Sequence, residues 1–253
     1  MILNAFNLEG KVALITGCNT GLGQGMALGL AQAGCDIIGV NRSGPDDTQA
    51  QVEALGRRFY SIDADLTDTG CVTRVVEEAV QAFGRLDILV NNAGIIRRAD
   101  AIEFSEQDWD DVMNINSKTV FFLSQAVARQ FIHQGQGGKI INIASMLSFQ
   151  GGIRVPSYTA SKSAVMGLTR LMANEWAKHN INVNAIAPGY MATNNTEQLR
   201  SDEERNQEIL GRIPAGRWGK PDDMSGPVVF LASSAADYVN GYTLAVDGGW
   251  LAR

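Results

Sequence analysis

Lys11-Val12-Ala13-Leu14-Ile15-Thr16-Gly17-Cys18-Asn19-Thr20-Gly21-Leu22-Gly23 changes character halfway along its length. Lys11 to Gly17 is a short apolar run, the kind a strand buried on both faces requires. It breaks into a turn carrying Gly17, Gly21 and Gly23, and an Ala/Leu/Met-rich segment follows to Ala33, with Gly34 as its stop signal. Strand, glycine turn and helix in that order form a phosphate cradle. Glycine lets the backbone approach a pyrophosphate, and the first N–H groups of the helix point at it with the positive end of the dipole. A glycine turn alone is weak evidence, so the rest of the chain has to decide.

The downstream pattern repeats the alternation. Asp36 to Val40 reads as a second strand, and a short helix is predicted to end at Leu55. Phe59 to Leu66 reads as a third strand, and Val72, Val75, Val76, Ala79 and Phe83 form an amphipathic stripe. Leu86 to Val90 is the fourth strand, closing on Asn91-Asn92-Ala93-Gly94. Ser105 is placed to cap one long helix through Trp109, Val112, Met113, Asn116, Val120 and Leu123. Lys139 to Ser145 and Asn182 to Ala187 are further strands, and Thr243 to Val246 is the seventh, after a helix over Pro221 to Ser233. The polar, charged segment Thr193 to Gly211 has weak helical signals and the length of a lid. Strands alternating with helices predict an α/β fold, a Rossmann-like doubly wound parallel sheet of seven strands with helices on both faces. No linker or repeat divides the chain, so one domain over residues 1–253 is expected.

Composition narrows the partners. A net charge of −6 disfavours nucleic acid and anionic membrane. Cys18, Cys35 and Cys71 show no Cys-x-x-Cys spacing and only two histidines are present, so no metal site is expected. The amino terminus lacks a signal-peptide pattern and no apolar run approaches a membrane span. A cytoplasmic chain with reduced thiols is the expectation.

Chemistry concentrates in Ser157 to Ala177, a segment with helical apolar spacing at Val165, Leu168, Leu171, Met172 and Trp176. Tyr158 and Lys162 lie four apart and share a helix face. A free phenol has a pKa of about 10. A nearby ammonium favours the phenolate and brings proton exchange within reach of neutral pH. At the end of the second strand stand Asn41 and Arg42 with no acid. Asn41 suits a free ribose hydroxyl and Arg42 suits a 2′-phosphate, so this position leaves NAD and NADP open.

Taken together, Thr16-Gly17-x-x-x-Gly21-x-Gly23, Asp65, Asn91-Asn92-Ala93-Gly94, Asn116, Ser145, Tyr158-x-x-x-Lys162 and Pro188-Gly189-x-x-x-Thr193 resemble the classical short-chain dehydrogenases/reductases in order and spacing. The resemblance implies hydride transfer between a nicotinamide cofactor and a carbonyl/alcohol pair, with Tyr158 as acid/base and Ser145 holding the substrate oxygen. It gives Lys162 the nicotinamide ribose and the lowering of the phenol pKa. Asn116 becomes the asparagine that kinks its helix and retains a water linking Lys162 to solvent. Gly17, Asn19, Thr20, Gly21, Leu22 and Gly23 are implied at the pyrophosphate. Asn41, Arg42, Asp65, Leu66, Asn92, Ala93 and Gly94 are implied at the adenosine, and Pro188, Gly189, Met191 and Thr193 at the carboxamide. A homotetramer assembled through the helices of Asn116 and Tyr158 is implied as well.

The runs Asn142 to Tyr158 and Ala187 to Thr196 resemble the family's sugar-acid branch, which works at carbon 5 of 3-deoxy-2-keto sugar acids in pectin or uronate breakdown and generally uses NAD(H). A sugar acid needs a local cation, and arginine's fork suits a carboxylate. Arg154 is the first candidate and Arg97 the second; Arg98 and Arg217 occupy comparable loops. Gln150, Asn194 and Asn195 are candidate partners of sugar hydroxyls, while Trp218 and Trp250 are expected to pack. Competing readings are an NADP-dependent gluconate 5-dehydrogenase or 3-ketoacyl reductase and, in another class, a non-catalytic dinucleotide-sensing protein.

Overall fold

Seven strands form one parallel sheet: β1 (Val12–Thr16), β2 (Asp36–Asn41), β3 (Phe59–Asp63), β4 (Ile88–Asn91), β5 (Gly138–Ile143), β6 (Ile181–Pro188) and β7 (Thr243–Val246). Their spatial order in this computed structural model, which describes residues 1–253, is β3-β2-β1-β4-β5-β6-β7. Nine helices accompany them: α1 (Gly21–Gln32), α2 (Asp46–Ala54), α3 (Val72–Phe83), α4 (Glu106–Met113), α5 (Thr119–Gln134), α6 (Pro156–Trp176), α7 (Glu197–Ser201), α8 (Glu203–Arg212) and α9 (Ser225–Ala232). The doubly wound α/β architecture follows from the chain's alternation.

All five β1 residues are buried, and their alternation splits them between two cores. Ala13 and Ile15 pack with Met26 and Leu30 of α1 and Val228 and Leu231 of α9. Val12 and Leu14 pack with Val75 of α3, Leu123 and Phe131 of α5, and Met172 of α6. Burying both faces of one strand requires side chains that are apolar throughout, which is why β1 reads as a continuous run.

Three elements differ from the sequence expectation. β3 stops at Asp63 because its neighbour β2 ends in register at Asn41, leaving Ala64 to Leu66 no strand to pair with. Asp65 then accepts from the Thr67 N–H at 3.0 Å and turns the chain. Ser105 caps α4 as expected, accepting from the Asp108 N–H at 3.1 Å. However, the long helix is interrupted at Asn114–Lys118 by one π-helical turn, so Trp109, Val112 and Met113 belong to α4 and Val120 and Leu123 to α5. The lid segment is more regular than its composition suggests: Asp202 caps α8, and Ile209 supplies its one buried anchor. No helix is long and apolar enough to cross a membrane.

A polar ladder crosses the otherwise apolar layer between the sheet and helices α5 and α6. Asn91 donates to Ser124 Oγ at 2.9 Å and to Asn142 Oδ1 at 2.8 Å, and Asn142 donates to Thr169 Oγ1 at 3.0 Å. Every member is buried and partnered, which fixes the two long helices against adjacent strands at one register. Asn142→Ala leaves Asn91 and Thr169 short of a partner and is expected to destabilise the fold by about 1–3 kcal/mol. A thermal melt that is unchanged from wild type would contradict that role.

Candidate active site

The chain leaves β1 into α1, on the face shared with α9, and leaves β4 into α4 and α5 on the opposite face. Adjacent strands with oppositely wound connections open a crevice at their carboxyl ends. Here that crevice is a cleft of about 1430 Å³, running from the glycine turn past Ser145 and Tyr158 to α8.

One half of the cleft is shaped by backbone. Gly17 and Gly21 hold φ of 66° and 58°, the left-handed region that glycine adopts without a steric cost. A Cβ at Gly23 would overlap the Gly17 carbonyl oxygen and the Asn92 amide, so the α1 terminus sits against the turn only because that side chain is missing. Thr16 Oγ1 accepts from the Asn92 and Ala93 N–H groups at 3.0 and 2.9 Å. Asn92 in turn donates to the Thr16 and Gly17 carbonyls at 3.0 and 2.8 Å. Thr20 begins α1 without a side-chain cap bond, which leaves its hydroxyl and the N–H groups of the first turn facing the cleft with Leu22 beside them. A turn of this shape, with no side chain filling it, fits a pyrophosphate.

Beyond the turn, Asn19 donates to Ser43 Oγ at 2.9 Å, and Arg42 is exposed and makes no ion pair. Asp65 lines the cleft with Leu66, Ala93 and Gly94, and hydrogen bonds from Thr67 hold its carboxyl below the usual range. Asn41 departs from expectation. Its Oδ1 accepts the Cys18 N–H at 2.8 Å and its Nδ2 points at Cys18 Sγ, so its amide is spent inside the protein instead of facing a ribose. At the other end, Pro188 closes β6, and Gly189 lies so close to Asp247 that a Cβ would clash with it. Thr193 leans over the turn, its methyl 3.6 Å from where a Gly21 Cβ would stand. Met191 differs: it is buried in the core with Met224 and Val228, so its side chain does not line the cleft.

Asn116, Ser145, Tyr158 and Lys162 converge from three elements. Ser145 follows β5 and faces the Tyr158 hydroxyl closely enough to favour the phenolate. Burial acts the other way and is the larger effect, so the phenol lies above its ordinary value. Lys162 is 5% exposed; its ammonium donates to the Ile143 carbonyl at 2.6 Å and sits 5.6 Å from the Tyr158 ring centre. Burial lowers the lysine to about 8. Lys162 therefore stands beside the Tyr158 ring, where a cation favours the phenolate. The Arg98 guanidinium acts on the phenol in the same direction. Asn116 lies in the π-helical turn; its Oδ1 accepts the Ile95 N–H at 2.9 Å, and its Nδ2 donates to the Ile95 carbonyl at 2.9 Å and to Ser161 Oγ at 3.1 Å. The side chain thus ties the β4 exit loop to α6.

The candidate carboxylate partners look different in three dimensions. Arg97 pairs with Asp108 and Asp111 of α4 at 3.2 and 3.5 Å. Arg154, held at a φ of 62°, pairs with Asp100 at 3.1 Å. Arg217 pairs with Asp223 at 2.7 Å. Gln150 lines the cleft, but its Oε1 accepts from both Arg212 and Trp250 at 3.2 Å, leaving only its N–H₂ for a ligand. Trp250 packs, as expected, against Met146, Ile209 and Ile213. Two more arginines stand out: Arg98, which the sequence placed in a comparable loop without preferring it and whose charge acts on Tyr158, and Arg212, which the sequence did not single out, stacked 3.9 Å over the Trp250 ring.

Comparison with known proteins agrees with this geometry. The family model described as short chain dehydrogenase matches residues 11–204. The 2-dehydro-3-deoxy-D-gluconate 5-dehydrogenases of Dickeya dadantii and Escherichia coli are 77% and 76% identical to the chain, each over the full length of both proteins. A crystal structure from Agrobacterium tumefaciens, described as a 2-deoxy-D-gluconate 3-dehydrogenase with bound NADP, superposes with a TM-score of 0.94 at 57% identity, covering 99% of this chain and 100% of that one. The chain belongs to the short-chain dehydrogenases, nicotinamide-dinucleotide-dependent oxidoreductases that act on a CH–OH group.

Proposed function

We propose that the chain interconverts the carbon-5 hydroxyl and carbonyl of a 3-deoxy-2-keto sugar acid, 2-dehydro-3-deoxy-D-gluconate and its 2,5-diketo counterpart, with NAD(H) as partner. The observation that carries this reading is the facing pair of Ser145 and Tyr158 hydroxyls beside an empty-sided glycine cradle, in a chain 77% identical to a 2-dehydro-3-deoxy-D-gluconate 5-dehydrogenase.

The bound dinucleotide supplies or accepts the hydride. Proton handling falls to the chain. Ser145 donates a hydrogen bond to the substrate oxygen, and Tyr158 gives that oxygen a proton on reduction or takes one on oxidation. Burial keeps the phenol protonated at neutral pH, which readies it for reduction and favours oxidation at alkaline pH. Lys162 contributes a donor for ribose hydroxyls beside Tyr158. With the Asn116 side chain wholly engaged, its main-chain carbonyl is the group left to hold a water leading from Lys162 to solvent.

NAD over NADP is supported by charge at the adenosine end. Arg42 is a single cation there, against Asp46 and Asp47 at the start of α2, Asp63 at the end of β3 and Asp65 beyond it, a poor setting for a dianionic 2′-phosphate. The unpaired state of Arg42 and the NADP in the Agrobacterium structure favour the second reading, NADP use. Exposed Phe122 and Ile132 on α5 and Leu171 on α6 support a homotetramer built on these helices. The location proposed is the cytoplasm.

Steady-state assays with 2-dehydro-3-deoxy-D-gluconate are expected to give turnover with NAD, and turnover with NADP alone would overturn the cofactor assignment. Tyr158→Phe should lower kcat by about 10²–10⁴ while dinucleotide still binds. Wild-type protein that binds dinucleotide but turns over no carbonyl or alcohol substrate would point to a sensor instead. Lys162→Met should abolish turnover yet melt higher than wild type at pH 7, because the charged buried lysine costs on the order of 3 kcal/mol. The unfolded chain keeps this proton up to its ordinary value of 10.5 and the folded chain only up to about 8. Between those values the unfolded state binds more protons, so wild-type stability rises with pH and the gap to the variant should close; a gap constant across pH would contradict the burial cost. Analytical ultracentrifugation should report four chains per particle, and a monomer would remove the assembly proposal.

A further inference from the structure

The cleft holds more cations than one anionic substrate needs, and most are already committed. Arg97 is bound between Asp108 and Asp111, and Arg154 is bound to Asp100. Arg205 pairs with Glu208 at 2.6 Å. Arg42 stands at the adenosine end, and Lys162 donates into the Ile143 carbonyl. Away from the adenosine end, two guanidiniums remain without an acid. Arg212 is stacked on Trp250 and bonded to Gln150, both of which would have to release it. Arg98 makes a single hydrogen bond, 3.3 Å from Nη2 to the Asn195 carbonyl at the start of the lid segment, and its other donors have no partner.

We propose that Arg98 is the anchor for the substrate carboxylate and, through Asn195, the contact by which a bound sugar acid is sensed by the lid; this rests on the sugar-acid reading given above. A guanidinium presents paired N–H groups that match both carboxylate oxygens, and a neutral carbonyl is a weaker partner than an anion. Arg98 lies on the loop leaving β4 and lines the same cleft as Ser145 and Tyr158, so a chain molecule held at one end by Arg98 can present an interior carbon to the two hydroxyls. It shares that cleft with both hydroxyls, and its charge favours the Tyr158 phenolate. The overall acidity of the protein adds weight: with a net charge of −6, an anion needs a local uncommitted cation to enter. Arg98 therefore sets specificity for acids over neutral sugars.

The test compares wild type with Arg98→Ala and Arg98→Lys on 2-dehydro-3-deoxy-D-gluconate and on its uncharged carboxamide, with NAD binding followed by fluorescence. Arg98→Ala should raise KM for the acid roughly tenfold to a hundredfold, with kcat changed by less than about threefold and NAD binding intact. Arg98→Lys should recover part of that loss, and in Arg98→Ala kcat/KM for the carboxamide should fall by less than about threefold. In Arg98→Ala the pH limb of kcat/KM for alcohol oxidation should move to higher pH, because the charge favouring the phenolate is gone. Equal losses on the acid and the carboxamide would make Arg98 a structural latch only and overturn the proposal. So would a KM increase carried instead by Arg97→Ala, Arg154→Ala or Arg212→Ala. Wild type inactive on the acid but active on another alcohol would sink the substrate reading itself, a result that needs no variant to recognise.

Discussion

The clasp between β1 and β4 is the constraint on which the rest of this molecule depends. One hydroxyl, Thr16 Oγ1, accepts from two consecutive N–H groups of the β4 exit, and one amide, Asn92 Nδ2, donates back across the gap to two consecutive carbonyls of the β1 exit. Parallel strands that end side by side leave their last backbone groups without ladder partners, and burial of those groups would be costly. Here two side chains satisfy them at the one place where the sheet's connections diverge. The same four bonds hold Gly17 in its left-handed turn and seat Gly23 against it, so satisfying the strand ends and building an anion cradle are one structural act. The loop that continues from Asn92 carries Ile95 and Arg98, which makes the clasp the origin of the substrate side as well.

The catalytic helix is fixed by a second set of bonds that converge on its first turns. Asn116 and Ser117 of the π-helical turn reach Ser161, and Ser148 Oγ donates to the Lys162 carbonyl at 2.6 Å. The π turn has a physical reason to exist. It widens the helix where Asn116 must turn toward Ile95 and Ser161 together, a divergence that a regular helix face does not offer. These anchors offset the burial of the Lys162 ammonium, which water would solvate better and which the Ile143 carbonyl compensates with one bond. A site that holds a lysine dry beside a phenol is thus less stable than its apolar equivalent, and the cofactor's polar hydroxyls are the natural complement of that lysine.

Much of this was legible in the chain. The two-faced burial of β1 shows as an unbroken apolar run, and the sheet follows from strands alternating with helices. The glycine turn shows as a break in the apolar run and Tyr158 and Lys162 as a pair four apart on one helix face, whereas Ser145 was picked out only by the family resemblance. What failed was direction. Asn41 and Met191 sit where the pattern places them, but a strand's side chains alternate faces and the last residue of β2 has its amide turned toward Cys18. The break at Asn114–Lys118 is invisible to a periodicity argument, since the apolar stripe resumes after one extra residue. Arg97 and Arg98 are equivalent as letters; only the approach of α4, with Asp108 and Asp111 on one face, distinguishes them.

The arginines also explain how an acidic protein can attract an acid. Pairing neutralises Arg97 and Arg154, each by a carboxylate from a neighbouring loop or helix, so that these cations act as struts between the walls of the cleft, while Arg205 is neutralised by Glu208 of its own helix α8. Struts of this kind hold shape without creating a broad positive field, which would draw in any anion, including the phosphates of the cofactor, at the wrong place. An unpaired guanidinium set against that neutral background is a localised charge, and its influence is screened beyond about 10 Å in physiological salt. At that short range Arg98 touches the start of the lid segment at the Asn195 carbonyl and acts on the Tyr158 phenol across the same cleft, so one localised charge relates the two.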